Sequence, residues 1–273
     1  MNQRALPWHL VSQIMPRALM ALFLISDLTI CLPHPAAADA IEDIGKAGIV
    51  RVGVFEDFPP FSFADTNLKL QGYDIDVAQA IGKELGVKVE LVGVTGENRI
   101  PFLTSHKVDL LLSVGQNPER EKVIDFTDAY APYYITAMAP KSTALKTAAD
   151  LAGKTIAVNR GTMEDTELSK IAPVNAEIQR YADYNGVISA FLSGQAEVMV
   201  VGNDVGATLL AQHPPIEPEP KFDLLSSPDH IGINKNEPAL QQRLNALIAH
   251  MRENGKLNDI SEQWLQLPLP KNF

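Results

Sequence analysis

The stretch GIVRVGVFEDFPPFSFADTNLKLQGYDIDVAQAIGKELGVKVELVGV, residues 48–94, decides the fold. Its opening, GIVRVGVF, is a short apolar run closed by a Pro-rich turn, DFPPFSF, and reads as a buried strand. GYDIDVAQAIGKELG (72–86) carries apolar residues at helical spacing, with Asp74 as the expected N-cap and Gly86 as the stop. VKVELVGV then reads as a second strand. A strand, a helix and a strand in that order make the first unit of a parallel sheet with helices on its faces.

The pattern continues outward. Asn98 is placed to cap a helix over IPFLTSHK, and VDLLLSV is the next strand. The alternation restarts at DLAGKTIAVNRG (150–161) and runs through the helix TMEDTELSKIA, the strand AEIQRYA, the helix NGVISAFLSGQ, the strand EVMVVG and the helix DVGATLLAQHP. KFDLLSS and HIGINK read as strands, and the tail as two helices split near Gly255. Two βα series of similar size predict two lobes, residues 41–135 plus 231–273 and residues 136–230. AYAPYYITAMAPK (129–141) and SSPDHIGINK (226–235) are the expected crossings between them. Two crossings form a hinge, and a ligand belongs in the cleft between the lobes.

The chain has 273 residues, 46% of them hydrophobic and 21% charged, enough for a sizeable core. A net charge of -10 excludes a nucleic-acid partner, which requires a basic face. Residues 1–40 read as a secretory signal peptide: Arg4 and Arg17 precede the apolar run ALMALFLISDLTICL, and PHPAAADA supplies a small-residue cleavage site near Ala38 or Ala40. The single cysteine, Cys31, lies in that leader and follows Ile30 rather than a small residue, which opposes a lipid anchor. The mature chain is then free of cysteine, as suits an oxidising compartment.

Within this acidic chain, cations stand at the ends of one short α/β unit. Arg120 follows VDLLLSVGQNPE, whose strand ends near Ser113 and Gly115. Strand carboxyl ends face the ligand crevice in open α/β sheets, so Arg120 reads either as a fork for a carboxylate or as a surface partner of Glu119 or Glu121. Arg99 stands at a helix start, where the dipole opposes a cation; a bound anion accounts for it, and so does solvation beside Glu97. Gly161 and Thr162 join a strand to a helix, where free N–H groups bind anions or Thr162 simply caps with Asp165 behind it. Phe58, in the Pro-rich turn, reads as a ligand wall or as core. No P-loop, GxGxxG, HExxH or GxSxG occurs, and the six histidines lack ligand spacing, so neither an enzyme constellation nor a metal or cofactor site is expected.

Taken in order, RVGVFEDFPPFSF, GYDIDVAQAIGKELG, NRIPFLTSHKVDLLLSV, NPEREKVIDFTDAY, DLAGKTIAVNRGT, FLSGQAEVMVVGN and GINKNEPALQQRLNALIAHMRENGKLNDISEQWL closely resemble the periplasmic solute-binding proteins of polar amino-acid ABC importers, the bacterial extracellular solute-binding proteins of family 3. The resemblance covers nearly the whole mature chain. It implies a type II two-lobed fold with two hinge strands, a periplasmic monomer without cofactor, and delivery of a small ligand to a membrane permease. It implies that Arg120 clamps an α-carboxylate, that Ser113 and the Gly161-Thr162 turn assist, and that Phe58 packs on the ligand. Arg99, in the string NRIP, matches an arginine that glutamate- and aspartate-binding members use for the side-chain carboxylate. Two positions depart from the pattern. Gly115 stands where Ser or Thr is frequent, and Gly202 stands where many members carry an aspartate for the ligand ammonium. Asn203 is the expected substitute, with Asp204, Glu164 and Asp165 as alternatives; without one, the ligand is a dicarboxylate or another organic acid. A dehydratase acting on prephenate or arogenate is the enzymatic alternative on this scaffold.

Overall fold

The computed structural model describes residues 40–271. The expected leader, Cys31 included, lies outside the described residues apart from Ala40. Helix α1 (Ala40–Ala47) leads into β1 (Ile49–Val54), and the Pro-rich segment that follows folds into β2 (Asp57–Phe58), β3 (Ser62–Ala64) and β4 (Leu70–Gln71). Then come α2 (Tyr73–Leu85), β5 (Lys88–Gly93), α3 (Arg99–Thr104), β6 (Leu110–Val114), α4 (Pro118–Glu121) and β7 (Ile124–Ala131). A second series holds β8 (Tyr134–Pro140), β9 (Thr155–Asn159), α5 (Met163–Ile171), β10 (Glu177–Tyr181), α6 (Tyr184–Leu192), β11 (Val198–Gly202), α7 (Asn203–Leu210) and β12 (Pro218–Ser226). The chain ends with β13 (Asp229–Asn234), α8 (Pro238–Glu253) and α9 (Lys256–Trp264).

The strands form two five-stranded sheets, ordered β5-β1-β6-β13-β7 and β10-β9-β11-β8-β12. In the first, β1 pairs in parallel with β5 and β6, and β13 runs antiparallel between β6 and β7. In the second, β9 pairs in parallel with β10 and β11, and β8 runs antiparallel between β11 and β12. The chain therefore leaves the first sheet after Ala131 and enters the second at Tyr134, then returns between Ser226 and Asp229. These passages make the architecture two-lobed. The central strands β6 and β11 are buried along their whole length, as LLLSV and VMVVG require when helices cover both faces of a sheet. The edge strand β5 alternates in exposure. Helices α8 and α9 pack on β7 and α2, closing the first lobe, and Gly255 divides them in a left-handed conformation at φ 83°.

Local readings differ from this structure at three points. DFPPFSF is more than a turn: with Leu70 and Gln71 it forms a small antiparallel sheet. Asn98 precedes α3 without capping it through its side chain, which instead accepts the N–H of Thr95. Asp74 is not the N-cap of α2. The helix begins two residues earlier, with Gly72 as its N-cap, and Asp74 is buried. Gly72 makes that start possible, since the backbones of Tyr73 and Asp74 donate to the carbonyls of Pro60 and Phe61. At Gly72, φ is 128° and a Cβ would stand 2.3 Å from the carbonyl oxygen of Phe61.

Replacing Gly72 with alanine is expected to destabilise the fold by about 3 kcal/mol through backbone strain and that clash. The midpoint of urea unfolding, at unchanged slope, measures the loss; a midpoint equal to the parent's contradicts the tight approach.

Candidate functional site

The carboxyl end of β6 organises the site. Ser113 adopts φ 51° there, a conformation disfavoured for a residue with a Cβ. Every polar group that this bend turns is caught. Its N–H donates to the Tyr130 hydroxyl at 2.8 Å, and its Oγ donates to Asp74 Oδ2 at 2.7 Å. Its carbonyl accepts Arg99 Nη1 at 2.8 Å. The Tyr130 hydroxyl donates in turn to Asp74 Oδ1 at 2.7 Å. Burial pushes the Asp74 carboxyl up to about 6, against the lowering effect of its bonds from Ser113 and Tyr130.

Arg99, only 3% exposed, lies with its guanidinium 5.2 Å from the Phe55 ring centroid, and its Nε is buried without a hydrogen-bond partner. Arg120, 6% exposed, is positioned by Asn117, whose side chain accepts the Arg120 N–H and caps α4. Its Nη1 donates to the carbonyl of Gly115 at 2.8 Å, and its Nη2 reaches the carbonyl of Gly161 at 3.2 Å. One guanidinium thus bridges the two lobes. Burial, followed by the nearby Arg99 charge, lowers Arg120 to about 9. Neither arginine has an ion-pair partner within 4.0 Å among the described residues. The surface pairing of Arg120 with Glu119 or Glu121 is not what the chain forms.

Backbone meets backbone beside this bridge. A Cβ at Gly96 would stand 2.2 Å from the carbonyl oxygen of Arg160, and one at Gly161 2.9 Å from that of Gly96. Thr162 caps α5 by accepting the Asp165 N–H, and donates to the carbonyl of Asn159 at 2.7 Å. Asp165 reaches back to the Gly161 N–H at 3.1 Å, so the groups of this turn serve the cap in this arrangement.

A small cavity, about 10 Å³, lies where the elements converge. That is on the order of the room one water needs. Of the residues expected to hold a ligand, Phe58, Arg99, Ser113 and Gly115 line it; Arg120, Gly161, Thr162 and Asn203 do not. Glu164, Asp229, Tyr133, Tyr184, Met163 and Ser227 complete the lining. Phe58 stacks between Tyr184 and Phe61, at centroid distances of 4.5 and 5.0 Å. Glu164 Oε1 accepts the hydroxyls of Tyr133 at 2.6 Å and Tyr184 at 3.1 Å. Asp229 is 3% exposed, and its Oδ2 is buried without a partner. Burial, with the charges of Asp74 and Glu164, pushes it well above the ordinary carboxylate range. Asn203 is the first residue of α7, and its Oδ1 is buried without a partner outside the cavity lining. Gly202 leaves room for a ring: a Cβ there would stand 2.2 Å from Tyr133. Among the described residues no group of three His, Cys, Asp or Glu is arranged to hold a metal. A larger surface hollow of 910 Å³ beside α1 has Arg51 and Asp109 in its wall, but those two already pair with each other.

A two-lobed α/β fold with polar side chains converging at the interlobe crossings defines a ligand-binding protein of the type II periplasmic kind. The chain belongs to the bacterial extracellular solute-binding proteins, family 3, whose model matches residues 50–267. It is 26% identical to the glutamate/aspartate import solute-binding protein of Salmonella typhimurium, over 93% of this chain and 90% of that one. The solved structure of the ancestral amino acid-binding protein AncCDT-1, a precursor of cyclohexadienyl dehydratase, superposes with a TM-score of 0.77 at 31% identity, covering 82% of this chain and 99% of that one. A mutant of ArgBP from T. maritima gives 0.78 at 29% identity, covering 84% and 100%.

Because the folded Asp74 binds its proton more tightly than an ordinary carboxyl near 3.8, its contribution to stability is full at low pH and falls as pH rises from about 4 to about 6. Asp57, Asp204 and Asp229 shift the same way. Urea midpoints of the parent should therefore decline across that window, and Asp74→Asn should flatten the decline; an unchanged slope in the variant would show that Asp74 ionises normally.

Proposed function

We propose that this protein is the substrate-binding component of an ABC importer and that its ligand is an acidic amino acid of the glutamate or aspartate kind. The observation carrying this reading is the pair of buried arginines at one cleft, Arg99 and Arg120, held only by carbonyl oxygens and an aromatic face. A carbonyl dipole compensates a buried guanidinium weakly, whereas a carboxylate supplies a full charge and two acceptors. A ligand with two carboxylates answers both cations, Arg120 taking the α-carboxylate and Arg99 the side-chain group. Ser113, Gly115 and Phe58 form the floor and wall, and Gly161, Thr162 and Asn203 approach from the second lobe as it closes. The lobes are taken as residues 41–135 plus 231–273 and residues 136–230. Ligand entry requires them to part, because a cavity of about 10 Å³ admits no amino acid. The similarity to a glutamate/aspartate import protein supports the acidic ligand, and relatives named for histidine, L-cystine, arginine and glutamine mark the breadth of the family. Export by the leader places the protein in the periplasm, where it works as a monomer and hands its ligand to the permease.

One observation favours a second reading, an enzyme: Glu164 is a buried acid in the cleft, and a structural neighbour is described as a dehydratase precursor. Turnover of prephenate or arogenate by the purified protein decides that case.

The test is calorimetric titration of protein stripped of ligand by unfolding and refolding, across the common amino acids and the dicarboxylates succinate, malate and glutarate. Glutamate or aspartate should bind and raise the thermal midpoint by mass action. Arg120→Ala should lower that affinity at least about 100-fold, the scale of a severed buried charge pair. Arg99→Ala should erase the preference for glutamate over glutamine while sparing glutamine. Parent-like binding by both variants would show that the ligand sits elsewhere.

A further inference from the structure

An amino-acid ligand brings an ammonium as well as carboxylates, and a buried ammonium needs an anionic acceptor. The acceptor expected near Gly202 is not available there. The space beside Gly202 is filled by the Tyr133 ring, which would have to shift for a side chain at that position, and Asn203 does not line the cavity. The carboxylates around the cleft can be taken one by one. Asp74 receives Ser113 and Tyr130 and lies outside the cavity lining. Asp165 is taken up by the Gly161 N–H and by Arg180. Asp204 does not line the cavity. Glu164 does, with one oxygen already receiving two tyrosine hydroxyls. Asp229 also lines it, 3% exposed, with a buried oxygen that has no donor.

We propose that Asp229, at the start of the return strand β13, is the acceptor for the ligand's α-ammonium, with Glu164 from the second lobe as the flanking negative charge. This rests on the amino-acid reading of the cleft. The surrounding charges agree with it. Asp229 is flanked by Asp74 from α2, Glu164 from α5 and Asp204 from α7, against the cations of Arg99 and, more remotely, Arg120. The hydroxyls of Tyr73, Tyr130 and Tyr133 share the same surroundings. Burial first, and then the charges of Asp74, Glu164 and Asp204, push the Asp229 carboxyl well above the ordinary carboxylate range, and an ammonium beside it favours loss of its proton. The position has a mechanical consequence. Asp229 pairs with Ala131 where both crossings leave the first sheet, so a ligand held there loads the hinge itself.

The deciding experiment compares glutamate with glutarate, which differs by the amino group alone, on the parent and on Asp229→Asn. The variant should lose at least roughly 30-fold in affinity for glutamate and bind glutarate as the parent does. Equal loss for the two ligands, or loss for neither, overturns the assignment. If Asp229→Asn does not fold, calorimetry of the parent in buffers of different ionisation enthalpy reads the same contact: glutamate should release a proton that glutarate does not, and equal release overturns it. Should the parent bind neither compound, the acidic-ligand reading fails by itself. The comparison then moves to the amino acid that does bind and its analogue lacking the amino group. If no α-amino compound binds, Asp229 has no ammonium to accept and the assignment fails with the wider reading.

Discussion

A guanidinium removed from water keeps its charge, and the cleft of this protein removes two. The arrangement around Arg99 and Arg120 follows from that constraint. Each is fixed by carbonyl oxygens that the fold has turned toward it: Ser113 for Arg99, Gly115 and Gly161 for Arg120. Turning the Ser113 carbonyl inward requires a left-handed residue at the end of β6, and the strain is held by donors and acceptors on every side of that residue. Tyr130 and Asp74 supply two of these partners from the core, and burial raises the affinity of Asp74 for its proton. The site is therefore polar at its deepest layer, with Phe58, Tyr133 and Tyr184 as the aromatic part of a mixed lining.

The same constraint links recognition to motion. Arg120 belongs to the first lobe through α4 and touches the second through Gly161, while the glycines at 96 and 161 let the two backbones close to contact distance. A Cβ at Gly96 would overlap the Arg160 carbonyl and force the backbones apart, and one at Gly161 would crowd the Gly96 carbonyl. Closure thus brings a cation and a set of backbone groups together in one step. Any anion bound in the cleft meets Arg120 most fully when the lobes are shut, since exclusion of water strengthens the attraction. Differential binding of that kind is what shifts a hinge toward its closed form.

Much of this was legible in the sequence, and the boundary of legibility has physical causes. The strands at GIVRVGVF, VDLLLSV and EVMVVG announce themselves because burial on both faces demands continuous apolar runs. Gly86 and Gly255 mark helix ends because a left-handed residue is needed there. Arg99 stood out because a cation opposes the helix dipole, whereas Arg120, apart from the family resemblance, read equally as a surface partner of Glu119 or Glu121. Asp74 misled, since an acid near a helix start is nearly always a cap, and only Ser113 and Tyr130, distant in sequence, make its burial tolerable. The small sheet at Asp57–Gln71 was hidden by prolines that read as a turn. Glu164 was visible as one of three alternatives to Asn203 for the ligand ammonium, and Asp229 carried no signal at all, lying in a segment notable merely as a crossing.

Gly202 shows why such a residue escapes a linear reading. In sequence it is a missing acid; in space it is room for a tyrosine. Tyr133, in the first crossing, fills that room and passes a hydrogen bond to Glu164, while Asp229, in the second crossing, faces the same cavity. A function expected at the end of β11 is thereby free to move about the cleft, because a ligand ammonium requires an anion at a point in space and is indifferent to the strand that delivers it. With the Tyr133 ring in this position an acid at 202 has no room, so a negative charge for an ammonium comes from elsewhere around the cavity, and the hinge strands are elements that already reach it.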